Sequence, residues 1–221
     1  GLIFDSALLQ LARLKVGDEV NVEVHAGALG AGITLTLAGT HAVAVSLVAG
    51  NLTSTSSGAV TVTATTGTNT IVTGSGADSI TGGAGKDTVT TGGGADTVVF
   101  AAGVADTVAT GTSIAGVDIY GDLVLNAGTV DRIDLTVTVA SVGTAVTGSV
   151  TEATFVTDMN TLLAVAGGAG FDTATAGGIS AAVVTANAGD LNGRKFLVVD
   201  LDASDTFTVA DFVIEITGST V

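Results

Sequence analysis

The chain of 221 residues contains no cysteine, no proline and no tryptophan. Without cysteine it can form neither disulfides nor thiolate metal sites. Basic side chains are nearly as scarce: Arg13, Lys15, Lys86, Arg132, Arg194 and Lys195 are the only six. Binding to nucleic acid needs a cationic footprint that displaces counterions from the phosphates, so that class of partner is excluded. No apolar run reaches the roughly 18 residues of a membrane-spanning helix, and no cationic, apolar leader opens the chain. The sequence starts at Gly1 without Met, as a processed product, a piece of a larger protein or a cloning choice would.

What is present points to a folded, strand-rich protein. Acidic disordered chains are poor in apolar residues, whereas this one is 47% hydrophobic despite a net charge of −15. The β-branched Val, Thr and Ile suit a pleated, half-buried surface. Glycine, at 32 residues, marks turns between such runs. The strong negative charge attracts cations, and aspartate is a hard oxygen ligand of the kind Ca²⁺ takes.

The middle of the chain repeats every nine residues. Successive rungs are Ala64-Thr-Thr-Gly-Thr-Asn-Thr-Ile-Val72, Thr73-Gly-Ser-Gly-Ala-Asp-Ser-Ile-Thr81, Gly82-Gly-Ala-Gly-Lys-Asp-Thr-Val-Thr90 and Thr91-Gly-Gly-Gly-Ala-Asp-Thr-Val-Val99. Place four is always glycine: Gly67, Gly76, Gly85 and Gly94. Place six is Asn69, Asp78, Asp87 or Asp96, and place eight is Ile71, Ile80, Val89 or Val98. Glycine-aspartate turns also punctuate ordinary β-proteins, but this run is strictly periodic.

The pattern resembles the nonapeptide G-G-x-G-x-D-x-U-x of RTX proteins, which build a calcium-binding parallel β-roll. The resemblance implies six residues of turn and three of strand per rung, with place eight pointing inward. Successive turns then fall on opposite sides, so equivalent residues eighteen apart in sequence stack. Glycine lets carbonyls curl inward, and the place-six carboxylate meets them around structural Ca²⁺, several ions in all. The ligand-bearing residues would be Asn69, Gly74, Gly76, Asp78, Gly83, Gly85, Asp87, Gly92, Gly94 and Asp96. Asp78 is expected to share an ion with Asp96, and Asn69 with Asp87. The rung at 64–72 lacks the leading glycines and carries Asn for Asp.

Upstream, Thr55-Ser-Ser-Gly-Ala-Val-Thr-Val-Thr63 keeps the glycine of place four but has no aspartate. Together with the apolar clusters at Val20–Val24, Ile33–Leu37 and Val43–Leu47, it predicts metal-free rungs over 20–63 that continue the stack; a separate small β-sandwich is the alternative. Ser6–Lys15 reads as an amphipathic helix capping the open end. Downstream, Phe100–Asp106 reads as a stretched last rung ending in the candidate ligand Asp106. Gly128-Thr-Val-Asp-Arg-Ile-Asp-Leu135 resembles a segment that follows calcium repeats in RTX proteins. Thr154–Val165 predicts a helix with Phe155, Met159, Leu162 and Leu163 on one face, Thr154 as N-cap and Gly167 as stop. Gly178–Asn187 predicts a second, weaker helix.

Near the end, Asp200, Asp202, Ser204, Thr206, Thr208 and Asp211 have the spacing of an EF-hand-like loop, with Asp205 where glycine is wanted. Asp200, Asp202, Asp205 and Asp211 are therefore candidate calcium ligands; a solvated acidic hairpin is the plainer reading. The ending Ile214-Glu-Ile-Thr-Gly218 resembles the C-terminal region of bacterial S-layer and related surface proteins exported by type I secretion. The fold class is thus all-β: a parallel β-roll or β-helix solenoid with a β-rich C-terminal module holding one or two short helices. Three regions are expected: 1–63, a cap and metal-free rungs; 64–108, the calcium-binding roll; and 109–221, an assembly and secretion module.

No catalytic constellation is legible. His25 and His41, the only histidines, do not form H-E-x-x-H, and Gly74-Ser75-Gly76 lies inside a repeat rather than in a nucleophile elbow. The glycine-rich run 82–94 is not followed by the helix of a phosphate loop. The chain is expected not to be an enzyme. The two resemblances imply a secreted, cell-surface structural protein, an S-layer or filament subunit assembled with copies of itself and Ca²⁺. They also imply export by the type I machinery, with a cell-surface polysaccharide as candidate anchor. The alternative is the C-terminal calcium-binding and secretion module of a larger adhesin or exoenzyme.

Overall fold

The computed structural model describes residues 20–24, 34–40, 42–47, 50–100, 113–126, 128, 130–164, 171, 178–204 and 206–221. The chain divides into two compact units, one from the described residues of 1–100 and 124–134, the other from those of 101–123 and 135–221.

In the first unit the nonapeptide period becomes a two-sided parallel roll. Strands β1 (Val20–Val24), β3 (Val43–Leu47), β5 (Val60–Ala64), β7 (Ser79–Thr81), β9 (Thr97–Phe100) and β11 (Arg132–Leu135) lie side by side in that order in one sheet. Strands β2 (Thr34–Leu37), β4 (Asn51–Ser54), β6 (Thr70–Val72) and β8 (Thr88–Thr90) follow one another in the second. Consecutive rungs therefore alternate between sheets. Within the repeats the registers pair residues eighteen apart, as in Val62↔Ile80, Ser79↔Thr97 and Ile71↔Val89. Place eight points inward as the period predicts: Ile71, Ile80, Val89 and Val98 are buried.

The rungs upstream of the repeats belong to the same sheets. Val45 pairs with Val62, and Leu52 with Ile71, so the upstream rungs continue the stack and the described residues form no separate sandwich. Leu47, Leu52, Val60 and Val62 extend the core beneath the repeats. Each fully buried Val, Leu or Ile contributes about 1.5–3 kcal/mol of transfer free energy, so the thin core depends on an uninterrupted apolar column.

The second unit is built differently. Strands β12 (Ser141–Val142) and β13 (Val146–Ser149) both run parallel to β14 (Ser180–Ala188). Strand β14 is antiparallel to β15 (Lys195–Asp200), and β15 to β16 (Phe212–Glu215). Strand β10 (Ile119–Tyr120) runs parallel to β16. Among its described residues one helix, α1 (Phe155–Leu163), buries Phe155, Met159 and Leu163. Phe155 meets Phe196 edge to face at 5.2 Å between ring centroids, and Phe207 at 6.1 Å.

Two local expectations are corrected here. Residues 178–187 are not a second helix; Ser180–Ala188 is strand β14. Alanine favours a helix, but Ala182, Val184 and Ala186 alternate with the half-exposed Val183 and Thr185, and partners on both sides override the propensity. Helix α1 ends at Leu163 with Ala164 as its C-cap, and the Thr154 side chain makes no capping bond to the backbone. Its hydroxyl donates instead to Asp158 Oδ2 at 2.7 Å. The N-terminal helix expected at Ser6–Lys15, the stretched rung beyond Phe100 and the stop at Gly167 lie outside the described residues.

Candidate metal sites

The turns of the roll approach one another too closely for side chains at places two and four. A Cβ added at Gly92 would lie 1.9 Å from the Gly74 carbonyl oxygen, and one at Gly94 would lie 2.0 Å from that of Gly76. Both glycines also have positive φ, so geometry and space agree. Gly74, Gly76, Gly83 and Gly85 stack in the same way on the carbonyls of Ser56, Gly58, Ala64 and Gly67. A backbone ladder fixes the stack: Gly93 N–H donates to Gly74 O at 2.9 Å, and Ala84 N–H to Thr65 O at 3.1 Å.

The place-six side chains form a second ladder. Asp78 Oδ1 accepts the Val60 N–H at 2.7 Å, and Asp87 Oδ1 accepts the Asn69 N–H at 2.7 Å. Asp96 Oδ1 accepts the Asp78 N–H at 2.8 Å. Each carboxylate thus grips the backbone two rungs earlier. Asn69, Asp78, Asp87 and Asp96 are all buried. Oδ2 of Asp78, Oδ2 of Asp96 and Oδ1 of Asn69 are buried with no hydrogen-bond partner.

Buried anionic oxygens without partners are costly. Burial pushes the Asp96 carboxyl up to about 6, against the pull of the Asp78 N–H and with added repulsion from the Asp131 and Asp78 carboxylates. Burial likewise raises Asp78, outweighing the pull of the Val60 N–H. Such a site needs a proton or a cation. Its place-six side chains offer oxygen, from three carboxylates and the Asn69 amide, the kind of donor a hard divalent ion takes. The residues present therefore fit calcium, with Asp78 and Asp96 brought together on one edge and Asn69 and Asp87 on the other, as the spacing predicts.

One residue was not anticipated in this column. Asp131 Oδ1 accepts the Asp96 N–H at 2.9 Å, so the segment entering β11 takes the place of a further rung. Its Oδ2 accepts the Val124 N–H at 2.8 Å. The signal was legible: Asp131-Arg-Ile133 has the spacing of places six to eight.

In the second unit, Asp200, Asp202 and Asp211 bring a carboxylate oxygen each within 4.8 Å of one another. Asp200 and Asp211 are buried and Asp202 is exposed. Backbone bonds shape this turn: Leu201 and Thr208 N–H groups hold the two Asp211 oxygens at 2.8 and 2.6 Å. Burial raises the Asp211 carboxyl above its usual range. The hydroxyls of Ser204 and Thr206 bond each other at 3.0 Å. Asp106 and Asp205 lie outside the described residues.

Residues 63–98 match the family model of the RTX calcium-binding nonapeptide repeat, in four copies. No curated protein and no solved structure matches the chain. RTX repeats bind calcium and occur in secreted proteins. Among the described residues, no helix is long and apolar enough to cross a membrane.

Proposed function

We propose that this chain is a non-enzymatic structural component of a secreted bacterial surface assembly, an S-layer or extracellular filament, folded and assembled by calcium. The observation that carries the calcium-dependent part is the buried column of RTX aspartates with unpartnered oxygens at Asp78 and Asp96. In a calcium-poor cytoplasm these charges oppose closure of the roll, and outside the cell binding free energy becomes folding free energy. The assembly part draws support from the Ile214–Gly218 ending, which resembles S-layer tails. Calcium would be held by carbonyls of the stacked turns with Asn69, Asp78, Asp87 and Asp96; the trio Asp200, Asp202 and Asp211 is a further candidate. Self-association, a polysaccharide anchor and type I export complete the reading.

Electron microscopy of the purified chain in calcium tests it. Ordered sheets or fibres that dissolve in chelator are the expected result. Particles that stay monomeric at all calcium concentrations would instead assign the chain as the calcium-binding module of a larger adhesin or exoenzyme.

A further inference from the structure

The turn at 55–60 stacks beneath the turn at 73–78 as one RTX turn stacks on another. Ser75 N–H donates to Ser56 O at 2.9 Å, matching Gly93 on Gly74. Asp78 grips the Val60 N–H as Asp96 grips that of Asp78. Written side by side, Thr55-Ser-Ser-Gly-Ala-Val60 and Thr73-Gly-Ser-Gly-Ala-Asp78 differ only at places two and six. Glycine has become Ser56 and aspartate has become Val60.

The two exchanges are complementary. Val60 is fully buried and apolar, so this turn carries no charge that a cation must neutralise. Ser56 is buried too, and its hydroxyl sits among the inward-facing backbone groups. Its oxygen accepts the Gly58 N–H at 3.0 Å, and its proton is shared between the Gly58 carbonyl at 3.3 Å and the Gly39 carbonyl at 3.2 Å. Gly39 belongs to the next turn down, whose carbonyl also accepts the Ser57 N–H at 2.9 Å. A hydroxyl therefore ties together carbonyls of two stacked turns, the task a cation would perform in the repeats. Ser54 supports it by accepting the Ser56 N–H at 3.1 Å.

We propose that Ser56 and Val60 replace a bound ion, so that the rungs over 43–64 stand without calcium and serve as a preformed ledge on which the RTX turns close when calcium arrives. The inference rests on calcium binding by the repeats and is independent of the surface-assembly reading.

Hydrogen exchange of the full chain in chelator, read by mass spectrometry, tests it. Amides of 43–64 should remain protected while those of 70–100 exchange freely; equal loss in both segments overturns the proposal. Ser56→Ala should lower protection of 43–64 in chelator by about tenfold, the scale of one buried hydrogen bond left unmade; unchanged protection counts against the hydroxyl's role. The double variant Ser56→Gly with Val60→Asp should bind more calcium than the parent by native mass spectrometry, and its 43–64 segment should become calcium-dependent. A double variant that folds in calcium with the parent's ion count and the parent's protection in chelator overturns the replacement idea.

Discussion

The two units solve the same problem, a stable β-structure without disulfides, by opposite means. The roll has a narrow core, built in the repeats around Ile71, Ile80, Val89 and Val98, and its edges bury Asp78, Asp87 and Asp96. The C-terminal unit packs Phe155, Phe196, Phe207, Met159 and Leu163 into one apolar cluster. Hydrophobic burial is indifferent to ions, whereas buried carboxylates are stabilising only when something neutralises them. Under the proposed reading, the difference says where calcium would act: on the first unit through its edges, and little on the interior of the second.

The sharpest way to break this comparison is to remove calcium. Excess chelator should abolish protection of amides in 70–100, while those of β14 and β15 remain protected in hydrogen exchange. Uniform loss across both units would mean that the second unit has no stability of its own. Next in size, Phe196→Ala removes a fully buried ring and should cost about 3–5 kcal/mol. In thermal unfolding that loss should be the same with and without calcium.

Asp87→Ala should have a smaller effect, confined to the roll. It deletes the carboxylate that grips the Asn69 N–H, so calorimetry should show weaker calcium binding and a stability loss of about 1–3 kcal/mol. Unchanged stoichiometry and stability would remove this turn from the metal column.

Acid should partly replace calcium. Asp96 titrates at about 6 in the folded roll, above the aspartate value of about 3.9 for an unfolded chain. The folded state therefore binds the extra proton, and the contribution of this group to stability is full below about 4 and lost as pH rises through about 6. In chelator, the protection lost from residues 70–100 at neutral pH should be partly regained as pH falls through that window, and calcium should restore it at neutral pH. A roll equally stable at both ends without calcium would contradict the burial of these carboxylates. Smallest of all, Asp202→Asn alters an exposed member of the Asp200–Asp211 trio. If that trio holds calcium, one weak binding event disappears from the titration while the unfolding midpoint barely moves.

Much of this was readable beforehand because the signals are local. Glycine at places two and four, aspartate at six and an apolar residue at eight encode one rung, and repetition encodes the roll. Helix α1 was legible from its single apolar face. Strand β14 was not, because its alanine-rich run favours a helix until β13 and β15 supply partners. Asp131 was missed although its spacing matches the repeats, because 35 residues separate it from Asp96 and no local rule joins them. The role of Ser56 was hidden for a related reason: its value lies in the Gly39 carbonyl 17 residues earlier.

The amino-acid sequence by itself determined the period of the roll, the calcium chemistry of its turns and the inward column of Ile71, Ile80, Val89 and Val98. Each of these depends on residue type at a fixed spacing. Only the tertiary structure decided which oxygens grip backbone and which are left without a partner. It also decided that Asp131 continues the aspartate column and that a serine hydroxyl joins two turns where the repeats would hold an ion. Those outcomes depend on which distant segments come to lie within hydrogen-bond distance, and stacking settles that, not composition.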